Sequence, residues 1–343
     1  MKRHLNTLFI TTQGAYLAKE GEAVDVRVEH ESRLRVPMVN LGGIVCFGQV
    51  SASPALMALC AESGVAVTFL TQHGRFLARV TGFTPGNVLL RREQYRRADD
   101  PVAATAIARN MVGAKIANSR AVLLRASRDY PESTGRQALD EASARLLRQS
   151  QQARDAGSCE LLRGIEGDAA STYFSAFNGL LTAQPQAFAF RSRSRRPPLD
   201  AINALLSFLY TMLAHDARAA CEACGLDPAV GFLHCDRPGR PGLALDVMEE
   251  FRSFLADRLA VSLINRQQIR ADGFTTTESG AVVMDDATRK VVLTAYQERK
   301  QETLTHPFLG EKTTVGLLTH LQARLLARHL RGDLEAYPPF LWK

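Results

Sequence analysis

The sequence predicts an α+β protein in which a small N-terminal β-rich domain is followed by a larger all-α domain. Three observations support this fold class. The first ninety residues contain short segments rich in β-branched and aromatic residues, separated by glycines. Beyond residue 100, apolar residues recur at helical spacing. The length of 343 residues suits two domains, at roughly 100–200 residues each.

Residues 1–90 are predicted as the β-rich domain. Glycines between its segments are typical of hairpins and tight turns. The strands are predicted over Leu8–Thr11, Ala15–Ala18, Val24–Val28, Arg33–Val36, Ile44–Phe47, Val65–Leu70 and Phe76–Thr81. One helix is predicted over Pro54–Glu62, because proline in the first helical turn loses no hydrogen bond.

Residues 91–100 are predicted as a linker, and residues 101–343 as the α-helical domain. The linker sequence, RREQYRRADD, is charged and precedes Pro101, a pattern that favours a helix start just beyond it. After that first helix, further helices are predicted over Gln137–Gln152, Cys159–Leu181, Leu199–Cys224, Leu243–Ile264, Ala287–Glu302 and Thr314–Arg331. A hairpin is predicted over Phe274–Met284, and an irregular arm over 335–343.

The composition is that of a globular protein. Hydrophobic residues make up 46% of the chain and charged residues 22%, which excludes a wholly disordered chain. The longest apolar stretch, Ala204–Ala214, is too short to span a bilayer, so no membrane partner is expected. The start, MKRHLNTLFITTQG, lacks a signal-peptide pattern, and we expect a cytoplasmic protein. Its cysteines would be reduced, and no zinc site is predicted at the single Cys221–Cys224 pair.

Positive charge is concentrated in arginine. The chain carries 42 lysines and arginines against 35 acidic residues, a net charge of +7, and only seven of the 42 are lysine. The segment RSRSRR holds four arginines in six positions, namely Arg191, Arg193, Arg195 and Arg196. Arginine binds phosphate through paired hydrogen bonds and stacks on bases, so this pattern favours a nucleic-acid partner. A GC-rich genome would also favour arginine codons, and composition alone does not separate these explanations.

One carboxylate occupies a position where an apolar side chain is expected. In the predicted helix Cys159–Leu181 an apolar stripe runs through Leu162, Ala169 and Tyr173, and Glu166 lies within it. A buried carboxylate requires a cation, a proton or a metal ion as its partner. The alternative is that Glu166 lies at the edge of the helix and reaches solvent.

A histidine, an arginine-containing loop and a carboxylate-bearing helix follow one another in the next region. His234 ends an apolar run, the loop CDRPGRPG follows, and the helix carries Asp246, Glu249 and Glu250. Residues three and four apart share a helix face, so Asp246 neighbours both glutamates. An imidazole with carboxylates is a ligand set suited to Mn²⁺ or Mg²⁺. A core histidine and a solvent-facing polar stripe are the alternative interpretation.

At these residues the sequence resembles the CRISPR-associated adaptation integrases, and its length and the sequences of the matching segments are most similar to subtype I-C members. The resemblance covers nearly the whole chain and depends on the order and spacing of four segments. These are EGDAASTYF at Glu166–Phe174, SRRPPLDAINALLSFLY at Ser194–Tyr210, GFLHCDRPGRPGLALDVMEEFR at Gly231–Arg252 and LLARHLRGDLEAYPPF at Leu325–Phe340.

The resemblance implies a homodimer formed through the β domain, which works with a small second CRISPR-associated protein on double-stranded DNA. It implies that Glu166, His234 and Glu249 are the catalytic residues and hold Mg²⁺ or Mn²⁺ in the α-helical domain. Asp246 would be an auxiliary acid. Three further residues are expected near the DNA or the metal site: Tyr173, Arg237 and Arg252.

The predicted function is a metal-dependent DNA integrase and endonuclease of CRISPR spacer acquisition. It would join the 3′-hydroxyls of short duplex DNA to the ends of the repeat in the CRISPR array. Two other functions stay open at this point. One is a metal-dependent nuclease that acts on branched DNA in repair. The other is a non-catalytic DNA-binding scaffold, in which the arginines would matter and a metal would not.

Overall fold

The structure is a computed structural model that describes residues 6–72, 76–82 and 88–342. This part of the chain forms twelve β-strands and ten α-helices. The strands are β1 (Asn6–Ile10), β2 (Tyr16–Glu20), β3 (Ala23–Val28), β4 (Glu31–Pro37), β5 (Leu41–Phe47), β6 (Ser51–Ala52), β7 (Ala66–Leu70), β8 (Phe76–Val80), β9 (Phe274–Thr276), β10 (Val282–Met284), β11 (Thr303–Thr305) and β12 (Lys312–Thr314). The helices are α1 (Pro54–Glu62), α2 (Val88–Asp99), α3 (Pro101–Asp129), α4 (Arg136–Asp155), α5 (Cys159–Ser175), α6 (Ala201–Ala223), α7 (Gly242–Glu249), α8 (Arg258–Asn265), α9 (Asp286–Gln301) and α10 (Leu318–Leu330).

The predicted α+β fold class is confirmed: the strand-rich part comes first and the helical part follows. Each predicted N-terminal strand overlaps an observed one, and α1 has the bounds predicted for it. The Ser53 hydroxyl caps this helix by accepting a hydrogen bond from the Leu56 N–H at 3.2 Å. The sequence does not predict the strand β6, because two residues are too few to show an alternating pattern.

The chain divides into two compact units, and the first contains the described residues 6–72 and 76–82 together with 286–302 and 314–317. It holds two four-stranded sheets, with strand orders β1-β5-β7-β8 and β4-β3-β2-β6. In the first sheet β5 pairs in parallel with both β1 and β7, while β8 is antiparallel. The side chains of Leu17, Ile44 and Leu56 are fully buried in a shared core cluster. Apolar residues of these strands and of α1 therefore form a common core.

The helix α9 packs with the N-terminal strands, although the sequence predicts it as part of one helical domain over 101–343. The Gln297 amide donates to the Thr7 carbonyl at 3.0 Å, and the Gln72 amide donates to the Asp286 carboxylate at 3.1 Å. These contacts join residues more than two hundred positions apart. Helical periodicity shows that such a helix forms, but does not show which unit it packs against.

The second unit begins with a helix in place of the predicted linker. Residues 91–100, predicted as a linker, belong almost entirely to α2, and Gln94 within it is fully buried. The Gln94 amide donates to the backbone carbonyls of Asp227 and Val230 at 2.8 and 2.7 Å. Asp100 then caps α3 by accepting from the Val102 N–H at 2.9 Å. The charged sequence is therefore the outer face of a docked helix.

The second unit is built around the long helix α3, which packs against α4, α5 and α7. The predicted helix Leu243–Ile264 is interrupted: α7 ends at Glu249, a π-helical turn covers Arg252–Asp257, and α8 continues from there. The predicted hairpin forms between β9 and β10. Residues 335–342, the described part of the C-terminal arm, have no regular secondary structure, as predicted. Among the helices that the structure describes, none has the length and hydropathy needed to cross a bilayer.

Candidate active site

The candidate site lies in the second unit, where α3 packs against both α5 and α7. Each helix contributes one charged side chain: Lys115 from α3, Glu166 from α5 and Glu249 from the end of α7. A single ammonium group joins the two glutamates. The Lys115 Nζ donates to the Glu166 Oε1 and lies 2.6 Å from the Glu249 Oε2. The cation that Glu166 needs in its apolar stripe is therefore a lysine of another helix.

The three side chains differ in exposure. Lys115 is 8% exposed and Glu249 5% exposed, whereas the Glu166 side chain keeps 24% of its surface accessible. Both alternatives for Glu166 thus hold in part: it has a buried cationic partner and it also reaches solvent. One side of the site is closed by the protein, and the side of Glu166 is open to a ligand.

A second cation fixes the orientation of Glu249. The Arg252 Nη1 donates to both carboxylate oxygens of Glu249, at 2.8 and 3.0 Å. Burial by itself raises the pKa of Glu249, but the Arg252 guanidinium and the Lys115 ammonium outweigh burial and lower it to about 2. Glu249 is therefore a carboxylate throughout the neutral pH range. The Arg252 guanidinium also lies 4.3 Å from the centre of the Tyr210 ring.

His234 is held in place by Asp246. The His234 Nδ1 lies 2.6 Å from the Asp246 Oδ1, and the Asp246 carboxylate also accepts the backbone N–H groups of residues 232–234. Asp246 is fully buried, while the His234 side chain is 19% exposed. Because Nδ1 is engaged, Nε2 is the ring nitrogen left for an outside ligand. The Asp246 carboxylate therefore fixes the orientation of the His234 ring.

Two glycines allow the His234 loop to approach α7 this closely. A Cβ on Gly231 would lie 2.7 Å from the Asp246 Oδ2, and a Cβ on Gly242 would lie 2.7 Å from the Ala229 carbonyl oxygen. Real Cβ atoms do not approach oxygen so closely, so a side chain at either position would push the loop away. The hydrogen bonds between the loop backbone and Asp246 would then lengthen, and His234 would lose its orientation.

The donor set of these helices fits a divalent cation. Among the described residues, no three His, Cys, Asp or Glu side chains surround one point as ready-made metal ligands. The oxygens of Glu166 and Glu249 nevertheless converge on one cationic nitrogen. Two carboxylates and one imidazole suit Mn²⁺ or Mg²⁺. The space between the carboxylates already attracts a cation, so the residues present suit such a metal.

The residues predicted to contact DNA divide into an inner and an outer group. Tyr173 is 3% exposed and lines the same small cavity as Lys115, and Arg252 is engaged with Glu249. Arg193 donates to the Ser194 carbonyl and to the side chains of Asn203 and Ser207. The outer group is exposed and consists of Arg191, Arg195, Arg196 and Arg237. Only this outer group is presented to a ligand in solution.

Sequence reasoning missed Lys115, although a signal for it was present. Lys115 follows Ile107 and Met111 at helical spacing, so it continues the buried stripe of α3. A lysine in an apolar stripe requires a buried anion, just as Glu166 requires a cation. These two opposite charges, each in an apolar stripe, together indicate that the side chains pair.

Fold and site together define a class: a two-unit α+β protein whose helical unit carries a carboxylate–histidine site. The family model described as "CRISPR associated protein Cas1" matches residues 8–298. The chain belongs to this family, which confirms the family predicted from the sequence, while the subtype stays a prediction. The chain is 58% identical to "CRISPR-associated endonuclease Cas1 1" of Chlorobaculum tepidum and 51% identical to "CRISPR-associated endonuclease Cas1 2" of Rhodospirillum rubrum, with all of both chains covered in each case.

Solved structures share the fold. A casposase bound to integration product superposes with a TM-score of 0.84 at 23% identity, over 99% of this chain and 95% of that chain. A Cas1 protein from Thermotoga maritima gives a TM-score of 0.82 at 22% identity, over 98% of this chain and 100% of that chain. A Cas6-RT-Cas1–Cas2 complex gives 0.83 at 24% identity, over 100% of this chain and 36% of that chain.

Proposed function

We propose that the protein is a metal-dependent DNA integrase and endonuclease of CRISPR adaptation. The observation that carries the proposal is the convergence of Glu166 and Glu249 on one cation beside a histidine that Asp246 orients. Family membership and the endonuclease names of the close relatives support the reaction class. The substrate would be short duplex DNA with free 3′-hydroxyls, joined to the repeat of a CRISPR array.

Glu166, Glu249 and the His234 Nε2 would hold Mg²⁺ or Mn²⁺. Such an ion polarises a phosphoryl oxygen and lowers the pKa of a hydroxyl or water. The chain's own residues prepare the site for it. Asp246 keeps the His234 Nδ1 occupied, and Arg252 keeps the Glu249 carboxylate charged and oriented. Glu166, on the open side, is the ligand closest to an incoming DNA strand.

The exposed arginines would guide the DNA to this site. Arg195, Arg196 and Arg191 lie on one loop between α5 and α6, and Arg237 lies on the loop between His234 and α7. Their guanidinium groups would neutralise phosphates and add the positive charge that a phosphodiester transition state needs. Arg193, Arg252 and Tyr173 would instead support the site from inside.

The partners belong to the same proposal. The β-rich first unit would mediate a homodimer, and the dimer would work with the small second Cas protein, Cas2. One structural neighbour is named as an assembly of Cas1 with Cas2, which supports the choice of partner. The protein would act in the cytoplasm, where the CRISPR array is.

A plasmid integration assay tests the proposal. It combines the purified protein, a short duplex with free 3′-hydroxyls and a supercoiled plasmid that carries a CRISPR repeat, with Mn²⁺, Mg²⁺ or EDTA, and with or without Cas2. We expect metal-dependent insertion at the repeat ends that is lost in Glu166→Gln and His234→Ala. Glu160→Gln is the matched control, because Glu160 is exposed on the same helix α5 and should keep full activity.

The other outcomes lead to the alternative functions. Metal-dependent cutting of branched DNA without insertion, even with Cas2 present, would indicate a repair nuclease. DNA binding without any metal-dependent strand transfer or cleavage would indicate a scaffold. Full insertion by Glu166→Gln and His234→Ala would refute the assigned site.

A separate binding experiment tests the arginines. Phosphate contacts make the affinity for DNA fall with salt, with a slope close to −0.9 per contact, as an order-of-magnitude rule for duplex DNA. Replacing Arg195 and Arg196 by alanine should weaken binding to all DNA sequences and make the salt dependence shallower by about two contacts. Replacing Arg145 and Arg148, exposed on α4, serves as the control. An unchanged salt slope after the Arg195 and Arg196 replacement would exclude this loop from the DNA contact.

A further inference from the structure

Lys115 occupies the space that two of the proposed metal ligands share. Its Nζ contacts the Oε1 of Glu166 and the Oε2 of Glu249, and 8% of the residue is exposed. It extends from a stripe of α3 that is otherwise mostly apolar, so the ammonium has little access to water. A buried lysine is stable only when anions compensate for its lost hydration, and here both anions are ligand candidates.

The charges of this cluster balance without any metal. Glu166 and Glu249 contribute two negative charges, and Lys115 and Arg252 contribute two positive charges in direct contact with them. A divalent cation placed between the carboxylates would leave two uncompensated positive charges beside it. Because charge repulsion at such short distances in a buried site is strong, one of the two side-chain cations must withdraw.

The two cations differ in how firmly they are held. Arg252 donates to both oxygens of Glu249 and lies over the Tyr210 ring, so its planar group is fixed on two sides. The Lys115 ammonium is a point charge at the end of a flexible four-carbon stem and can swing away without loss of a fixed geometry. Of the two, Lys115 is the one that a metal ion can displace.

We propose that Lys115 is an internal counter-ion, which holds Glu166 and Glu249 together without metal and competes with the divalent cation for their oxygens. This inference rests on the proposed function, because it requires that these glutamates bind metal. Lys115 is thus a positioning residue. It stabilises the metal-free protein and weakens metal binding, since every metal ion that enters must separate the ammonium from two carboxylates.

The variant Lys115→Met tests the competition, because methionine fills a similar volume without the charge. We expect the Kd for Mn²⁺, measured by titration calorimetry or by the electron paramagnetic resonance of free Mn²⁺, to fall about tenfold or more. The Tm without metal should be lower than in the wild type, and the rise in Tm on adding Mn²⁺ should be larger. A Kd that is unchanged or higher in Lys115→Met would overturn the proposal.

Lys300→Met is the matched control. Lys300 is also a buried lysine, 6% exposed, but it belongs to the first unit, where it pairs with the Thr7 hydroxyl. Its replacement should lower the Tm and leave the Kd for Mn²⁺ unchanged. An equal change in Kd for both variants would mean that loss of a buried lysine acts through general destabilisation, and the proposal would fail.

A measurement on the wild type keeps the proposal testable if Lys115→Met does not fold. Reductive methylation of amines, followed by mass spectrometry, reports how accessible each lysine is. We expect added Mn²⁺ to increase labelling of Lys115 severalfold and to leave Lys300 unchanged. Equal labelling of Lys115 with and without Mn²⁺, at concentrations that saturate the site, would show that the ammonium is not displaced.

Glu166→Gln separates this inference from the proposed function. If the wild type binds Mn²⁺ no better than Glu166→Gln, the metal site itself is wrong and the proposed function fails with it. If the wild type binds Mn²⁺ in a Glu166-dependent way and Lys115→Met binds it no more tightly, only the role of Lys115 is wrong.

Discussion

Glu249 and Glu250 are neighbours in the chain but belong to two different environments. Glu249 contacts the ammonium of Lys115 and the guanidinium of Arg252. Within the described part of the chain, the groups that donate hydrogen bonds to Glu250 are all neutral: the Tyr337 hydroxyl, the Gln322 amide at 3.0 Å and the Phe340 N–H at 2.7 Å. Both are buried, so burial alone does not distinguish them.

The nature of the partners sets the protonation state of each glutamate. Burial raises the pKa of Glu250 to about 8, because its neutral hydrogen-bond donors only partly offset the loss of hydration. At Glu249 two full positive charges overcome the same penalty and lower the pKa to about 2. Two adjacent carboxyl groups therefore differ in charge at neutral pH because one faces cations and the other faces dipoles.

The two environments also differ in what they can do. The cluster around Glu249 opens to solvent at Glu166 and His234, whose side chains are 24% and 19% exposed. The cluster around Glu250 is covered by the C-terminal arm, which holds Tyr337 and Phe340 at 1% exposure each. Glu249 is positioned to receive a ligand, and Glu250 is positioned to anchor the arm.

The largest expected effect is a difference in insertion activity between variants of the two glutamates. Glu249→Gln should lower metal-dependent DNA insertion about 10³-fold or more, because one of the proposed metal ligands loses its negative charge. Glu250→Gln should keep activity within about threefold, since its side chain faces the arm and glutamine can still hydrogen-bond there. The plasmid integration assay measures both variants. Comparable losses in the two would contradict the division of roles.

An effect of intermediate size is expected from Glu250 on the pH dependence of the free energy of unfolding. Its pKa in the folded protein is raised to about 8, above its ordinary value of 4.5, so the folded state binds more protons than the unfolded state between these values. The free energy of unfolding should therefore fall as the pH rises from 6 to 8, by about 2 kcal/mol in total from this group. The pKa of Asp257 is raised to about 6, so Asp257 contributes to the pH dependence of stability mainly below pH 6.

Urea unfolding of the wild type and of Glu250→Gln at pH 6, 7 and 8 measures this effect. The difference between the two proteins isolates the contribution of Glu250 from the contributions of all other titratable groups. Glu249 stays ionised throughout, because its pKa is lowered to about 2, so Glu249→Gln should keep the wild-type pH dependence. If the free energy of unfolding of Glu250→Gln keeps the pH dependence of the wild type, this dependence comes from groups other than Glu250.

The smallest effect concerns the anchor of the C-terminal arm. Tyr337→Phe removes the hydroxyl that donates to Glu250 and keeps the buried ring, so it should lower the free energy of unfolding by about 1 kcal/mol. The Kd for Mn²⁺ should stay at the wild-type value, because Tyr337 contacts the other cluster. Chemical denaturation and metal titration of one preparation check both expectations. A weaker affinity of Tyr337→Phe for Mn²⁺ would show that the clusters around Glu249 and Glu250 are not independent.

Much of the fold was available from the sequence because the relevant signals are local. Alternation in the N-terminal segments predicted the strands, and Ser53-Pro54 marked the start of α1. The misplaced segments were those whose partners are distant in the chain. Residues 91–100 have the composition of a charged linker, but Gln94 within them donates to the carbonyls of Asp227 and Val230. The periodicity of α9 predicts a helix of the α-helical domain, but α9 packs with β1.

The sequence by itself determined the order of the two structural classes, most element positions, the family, and Glu166, His234 and Glu249 as the candidate set. The tertiary structure alone decided that Lys115 lies between Glu166 and Glu249, and that Asp246 orients His234. It also decided that Glu249 contacts cations whereas Glu250 contacts neutral hydrogen-bond donors. Periodicity reports which face of one element is apolar, whereas these contacts depend on how elements far apart in the chain pack together, and packing decides which charge each buried group meets.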